Sequence, residues 1–415
     1  MFSKQVILII CYRTNKSYIE SYFKQNKKYE VVIDTLEDIE GLGVKDYVEK
    51  KISQINSGKL KINGIAATSD QCNAIVAILA KQTGKIGTSL ESILACQNKY
   101  ISRLKQKEIC PKNCPDFCLA VSNHLKFPVF VKPVRSSLSF HSFKVTSSKA
   151  LIKAIESGKA MIPRSNKLYQ EIIDLGYFRH KNLNDFNNLI CEEIVTGEQI
   201  TVDGYIYKNK VVLFGITKSI FLPNKISFTR FDYPYEFEPE LNNKIESLSK
   251  KLASGLGLNN TLFNIEFVVN LRTNKIFIIE INGRLSLQFA HLIHTVSGYN
   301  PLEAMADISV GKEPGFFLKN ENKKYKICSS CVLRKRFDHR VLQVPQEKEL
   351  DTLSEKHSDI QITSLIQEGK KLSDYRQDSK TFRYAIVDIP GNDLCDIKRK
   401  LYKVRSELKY RFSEL

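Results

Sequence analysis

Residues 262–284 read LFNIEFVVNLRTNKIFIIEINGR. Two apolar runs meet there in the pattern of an antiparallel hairpin. With the turn centred on Thr273, Glu266 stands opposite Glu280 and Asn264 opposite Asn282. Strand side chains alternate with period two, so these residues share one face while Ile265, Phe267, Ile279 and Ile281 point into a core. Opposite positions on neighbouring strands lie about 5 Å apart, which would display two carboxylates side by side on a rigid wall. Hard oxygen ligands at that spacing suit Mg²⁺, with Mn²⁺ as a substitute, shared with the phosphate oxygens of a nucleotide. The same alternation describes the solvated face of an ordinary sheet. Context from the rest of the chain decides between the two.

The chain has 415 residues, 42% hydrophobic and 26% charged, enough for two or three domains with real cores and for an enzyme. Its net charge of +18 raises nucleic acid as a partner, but acids interrupt the basic residues almost everywhere, which weighs against nucleic-acid binding. The apolar run at 6–11 is too short for a signal core or a membrane span, and no stretch reaches the roughly 20 apolar residues a bilayer needs. A cytoplasmic location with no membrane partner is therefore expected. Ten cysteines are diluted through the chain and read as reduced thiols. Cys110, Cys114 and Cys118 are interrupted by Pro111 and Pro115, and Cys328 and Cys331 sit in a strand-like run, so neither set reads as a zinc site.

Residues 1–95 alternate strands (QVILII, YEVVID, INGIAAT) with helices, which predicts a small open parallel sheet. Asp70 is placed to cap a helix whose apolar positions are Ala74, Ile75, Ile78 and Leu79. Gly41-Leu42-Gly43 lacks the third glycine of a dinucleotide fingerprint. A basic helix, NKYISRLKQKE, then leads to the strand FPVFVKPV, a serine-rich loop and the strand FKVTS. LICEEIV breaks at Thr196-Gly197, and QITVDGYIYKNKVVLFGITKS folds back at Lys208-Asn209. A helix at 241–254 precedes the acidic hairpin; LSLQFAHLIHTVSG and LEAMADISVG form helices after it, the second starting at Pro301. The strands KICSSCVLRKRF and FRYAIVDIP and a helix at 392–412 complete the chain.

In this order the parts resemble the ATP-grasp superfamily, and within it the amino-acid and dipeptide ligases. NKYISRL, with Lys99, is similar to the family's first phosphate-binding lysine, and FPVFVKP puts Lys132 where the second lies. CEEIVTGEQITVDG resembles the hinge that holds adenine and ribose, and EINGR the metal-and-phosphate motif. The resemblance implies an ATP-grasp fold of mixed α/β (α+β) class: an N-terminal α/β domain at 1–95, a central lid subdomain at 96–188, a hinge and metal subdomain at 189–315 with an antiparallel sheet, and an α+β extension at 316–415. It assigns ATP to Lys99, Lys132, Glu192, Glu193, Ile194, Val195 and Gln199, and metal to Glu266, Glu280 and Asn282. Catalytic charge falls to Arg284 and Lys132.

Three departures stand out. Gln199 replaces the family's ribose-binding acid. The loop RSSLSFHS after Lys132 has no glycine, although serine hydroxyls and backbone amides can still cover phosphates. Gln288 stands where biotin-carboxylase relatives keep a glutamate base, which argues against bicarbonate chemistry. The expected activity is therefore ATP-dependent ligation of a small carboxylate to an amine through an acylphosphate, in a chain compatible with a homodimer. An ATP-binding regulator or nucleic-acid-associated protein without ligation, or a ligase modifying a protein or peptide tail, stands as the alternative. His291, His294 and Lys218 are further candidates to face the amine.

Overall fold

The computed structural model describes residues 4–136, 141–178, 186–224, 226–316, 324–357, 360–375, 377 and 381–414. The strand Gln5–Cys11 is buried on both faces from Ile7 onward. Such a strand must be covered on both sides, and it takes the centre of a parallel three-stranded sheet between Tyr29–Thr35 and Gly64–Ala67. Helix Asp70–Gln82 follows, with Ala74, Ile75, Ile78 and Leu79 buried. Asp70 does not cap it. Ser69 holds the cap position, and the Asp70 carboxylate turns instead to Arg284.

A second sheet has four antiparallel strands in the order Phe117–Leu119, Leu189–Glu193, Val129–Pro133, Phe143–Val145. Val129 and Val131 pack with Leu151 and Ala154 of helix Ser148–Ser165 in a small core of its own. The largest sheet has eight strands in the order Lys275–Asn282, Thr261–Asn270, Glu198–Tyr207, Lys210–Phe221, Phe228–Tyr233, Ile327–Lys335, Phe382–Gly391, Gln361–Ser364. Its hairpin turns where expected, at Lys208 and Asn209, with φ of 48° and 64°, the two-residue turn whose twist matches antiparallel strands. Tyr233 pairs with Cys328, so strands on either side of residue 316 share this sheet.

One face of the eight-stranded sheet is sealed by helices Leu90–Gln97 and Pro239–Gly255. There Leu241, Ile245, Leu248 and Leu252 meet Ile200, Val202, Ile265 and Phe267 in a common core. The other face looks across a cleft toward the four-stranded sheet. The last helix, Leu394–Glu407, is shorter than expected. The chain runs extended after it, and Arg411–Glu414 pairs with His339–Gln343. Aromatic side chains favour that outcome: Tyr410 and Phe412 pack with Tyr384 on a pleated surface. Among the described residues no helix is long and apolar enough to cross a membrane.

Candidate active site

The acidic hairpin pairs Asn264 with Asn282, Ile265 with Ile281 and Glu266 with Glu280, the register expected from the sequence. Its turn is nevertheless Leu271 to Asn274, because Asn270 pairs with Lys275. A bulge after Glu266 absorbs the difference, so Phe267 pairs with Ile278 and Ile279 is the extra residue. Ile278, rather than Ile279, therefore enters the core beside Phe267, and Ile279 lines the cleft. A bulge re-aims side chains and interrupts the ladder. Here the Ile279 carbonyl accepts a hydrogen bond from Arg103 Nη2 at 2.9 Å.

Helix Lys99–Ile109 starts under the hairpin, capped by Asn98 Oδ1, which accepts from the backbone N–H groups of Tyr100 and Ile101 at 3.1 and 3.0 Å. Its first residue, Lys99, puts Nζ 2.9 Å from Glu280 Oε1 and donates to the Ser136 carbonyl at 2.8 Å. One helical turn on, Arg103 is almost completely buried and donates from Nε to Glu192 Oε1 at 2.8 Å. The other oxygen of Glu192 lies 2.8 Å from Lys132 Nζ. Arg103 thus ties the four-stranded sheet, through Glu192, to the eight-stranded sheet, through the bulge.

The cleft between the sheets encloses about 350 Å³ and is lined by Lys99, Lys132, Gln199, Glu266, Glu280, Asn282, Arg284 and Asp70, among others. Burial and the neighbouring Glu280 push the Glu266 carboxyl up to about 7. Glu280 behaves oppositely: burial would raise it, but Lys99 and Lys132 hold it below the usual carboxylate range. Burial also works against Glu192, yet Arg103 and Lys132 hold it down at about 2. The triad has one anion for two cations, and Lys132 is left short. Burial first, and then Arg103 and Lys99 against the pull of Glu192, bring its ammonium below the ordinary lysine value. Arg284, countered by Asp70 at 3.3 Å, Glu280 and Asp203, keeps its charge although burial opposes it. A polar ladder crosses the cleft floor: Asn282 Nδ2 donates to Asn264 Oδ1 at 3.4 Å, and Asn264 Nδ2 to Asp203 Oδ1 at 2.9 Å. Burial lifts the Asp203 carboxyl to about 7, and its Oδ2 has no hydrogen-bond partner among the described residues.

Other candidates are engaged by neighbours or lie away from the cleft, Gln288 excepted. Gln199 is in the cleft but donates from Nε2 to Glu266 Oε2 at 2.8 Å. Both oxygens of Glu192 are engaged by Arg103 and Lys132, and the Glu193 N–H already bonds the Asp116 carbonyl at 2.8 Å. Glu193, Ile194 and Val195 precede Gly197, where a Cβ would run into the Val269 carbonyl, so the hinge crosses the strand Thr261–Asn270 at close range. Lys218 faces the back of the sheet. It lies opposite Ile200 and is held by Glu198 at 2.7 Å and Tyr235 at 3.1 Å, which corrects its assignment to the amine. His291 and His294 sit on helix Leu287–Ser297 but do not line the cleft, whereas Gln288 does. The glycine-free loop lies partly outside the described residues, at 137–140.

Arg103 and Asp203 were not singled out from the sequence, and Asp70 was read only as a helix cap. Helical spacing places Arg103 on the same face as Lys99, and period two places Asp203 with Gln199 and Thr201. Those were the available signals.

Residues 125–295 match the ATP-grasp domain family. The chain carries an ATP-grasp domain. Over its whole length the ATP-grasp fold is shared with solved ligases, as the sequence motifs led one to expect. An L-amino acid ligase from Bacillus licheniformis superposes with a TM-score of 0.76 at 13% identity, covering 100% of both chains. Phosphoribosylglycinamide synthetase from Anaerococcus prevotii gives 0.67 at 16%, covering 99% of this chain and 100% of that one. Biotin carboxylase from Campylobacter jejuni, solved with a β,γ-ATP compound, gives 0.65 at 15%, covering 99% and 92%. No curated protein matches the chain in sequence.

Proposed function

We propose that this ATP-grasp chain is an ATP-dependent carboxylate–amine ligase that works on amino acids or small peptides. The observation that supports it most is the pairing of Glu266 with Glu280 across a hairpin, at the foot of a cleft that also collects Lys99, Lys132 and Arg284. Two half-buried acids, one of them pushed up to about 7 by burial and by the other, form a donor set that a divalent cation would relieve. Among the described residues no cluster of three His, Cys, Asp or Glu forms a ready-made metal cage. That suits Mg²⁺, which is usually held by one or two carboxylates plus phosphate oxygens and waters. Glu266, Glu280 and the carbonyl oxygen of Asn282 would hold it; Asn282 already spends its amide nitrogen on Asn264. When bound there, Mg²⁺ supplies charge neutralisation for the triphosphate.

The residues of the chain do the rest by position and charge. Lys132, short of anionic compensation, and Lys99 offer ammonium groups to phosphate oxygens, and Arg284 presents a guanidinium that takes phosphate or carboxylate bidentately. A carboxylate oxygen of the first substrate attacks the γ-phosphorus and ADP leaves. The amine of the second then attacks the acylphosphate carbon, inorganic phosphate departs and the amine gives up a proton. No nucleophilic side chain is required, and a cleft that excludes water protects the acylphosphate. The test is ADP release with a panel of amino acids. A ligase responds to a particular acid and amine pair and yields the amide, whereas ADP formation independent of any acid would refute the reading.

A further inference from the structure

The cleft changes character along its length. Its lining carboxylates, Asp70, Glu266 and Glu280, all belong to the end built around the acidic hairpin and Arg284. Toward the other end the same sheet face presents Phe221, Phe228 and Phe231, then Val332 and Ile386, with Phe289 of helix Leu287–Ser297 above them. Arg334 and Arg383, a pair on the same two strands, border this surface, and Arg334 already donates to the Phe228 carbonyl and to Thr381 Oγ1, each at 2.7 Å. The four rings are contiguous: Phe221 and Phe228 have centroids 4.3 Å apart, Phe228 and Phe231 4.9 Å, Phe231 and Phe289 5.2 Å. Val332 lies directly opposite Ile386 and continues the surface across two more strands. Phe221, Phe228, Val332 and Ile386 are only half-buried, so part of their apolar area faces the cavity.

Apolar area held inside a concave site is costly until a ligand covers it, at about 25 cal/mol per Å². Adenine is not the ligand this surface fits. The strand of Phe231 is two places beyond that of Gln199 in the sheet, about 10 Å away at the usual strand spacing. We infer that this compartment receives the side chain of a ligated amino acid, and that the preferred substrate carries a large apolar side chain, aromatic or branched aliphatic. The inference rests on the ligase reading and names the substrate class of that same site.

The test measures initial rates of ADP release with Phe, Leu, Ile and Met against Gly, Ser, Asp and Lys, on the full chain with saturating Mg²⁺ and ATP. The expected result is a kcat/KM at least tenfold higher for the large apolar acids. Val332→Ser and the milder Ile386→Val should each raise KM for those acids and leave ATP affinity, read by calorimetry, unchanged. ADP release stimulated best by Asp, Lys or Gly would overturn the substrate class and leave the ligase intact. Release that no acid stimulates would bring down the ligase reading and this inference together. Variants that keep the wild-type ranking and KM would also overturn the compartment.

Discussion

Glu192 is the place where the energetics of the cleft can be measured directly. Its carboxylate is about 5% exposed and accepts from Arg103 while facing Lys132, each at 2.8 Å. Held at about 2 against an ordinary value of 4.5, it contributes about 3 kcal/mol to folding, at 1.36 kcal/mol for each unit. The penalty for leaving a buried partner charge uncompensated, roughly 3–5 kcal/mol, is of the same size. E192Q should therefore lower the unfolding free energy by about 3 kcal/mol at pH 7, read by urea denaturation. A depressed carboxyl stabilises fully above its unfolded value, and the contribution fades as pH falls toward the folded value. The gap between wild type and E192Q should accordingly shrink to about 2 kcal/mol by pH 3.5. With Lys132 released from its anchor, KM for ATP should rise as well. A gap that stays constant or widens between pH 7 and pH 3.5 would refute the ion-triad account.

Other expectations follow from the same geometry. Glu280→Ala should cut ADP release by roughly a hundredfold or more, the scale of losing one charge-stabilising group, while circular dichroism stays that of wild type. Asp203 is pushed up to about 7 by burial, so its folded form holds a proton that the unfolded chain has lost, and stability falls as pH rises through that window. Asp203→Asn should therefore raise the unfolding free energy by about 4 kcal/mol at pH 8 and change nothing below pH 4; equal effects at both pH values would sink the idea. Glu266 must be ionised to bind a cation, so the half-saturating Mg²⁺ concentration should fall roughly tenfold between pH 6 and pH 8. Metal titrations at the two values check this, and tighter binding at pH 6 would contradict it.

Much of the site was legible because it lies on strands and helix starts. Alternation along each strand keeps Glu266 with Asn264 and Glu280 with Asn282, and the register between the two strands survived a misplaced turn centre because the extra residue at Ile279 offsets the shift. The bulge at Ile279 was not legible. Its sequence, KIFIIEIN, alternates no differently from a regular strand, and the bulge is fixed by Arg103 pulling on a carbonyl from another element. Asp70 illustrates the same limit. Local chemistry makes it a cap, and a tertiary partner, Arg284, outbids that role. Glu192 reads as a hydrogen-bond acceptor for a ligand until the structure shows both its oxygens committed to Arg103 and Lys132. Long-range ion pairs of this kind leave no periodic trace in a sequence, since their members are separated by 89 residues in one case. The apolar half of the cleft was hidden for a related reason, because Phe221, Val332 and Ile386 are brought together only by the order of the strands.

The charges of the cleft are arranged for exchange rather than for permanent pairing. Lys99 lies against Glu280 and the Ser136 carbonyl, and Gln199 against Glu266. A metal–triphosphate unit carries both signs. On the proposed reading it would offer a cation to the two glutamates and anionic oxygens to Lys99, Lys132 and Arg284, so that existing contacts would be exchanged for new ones and no charge would be stranded. Buried charges are expensive chiefly when uncompensated, and a cleft that moves between two compensated states can bind and release without crossing a large desolvation barrier. Arg103 and Glu192 do not take part in that exchange. They lie almost wholly buried behind Lys132 and join the two sheets, which is why the mobile charges can be few and the walls that carry them rigid.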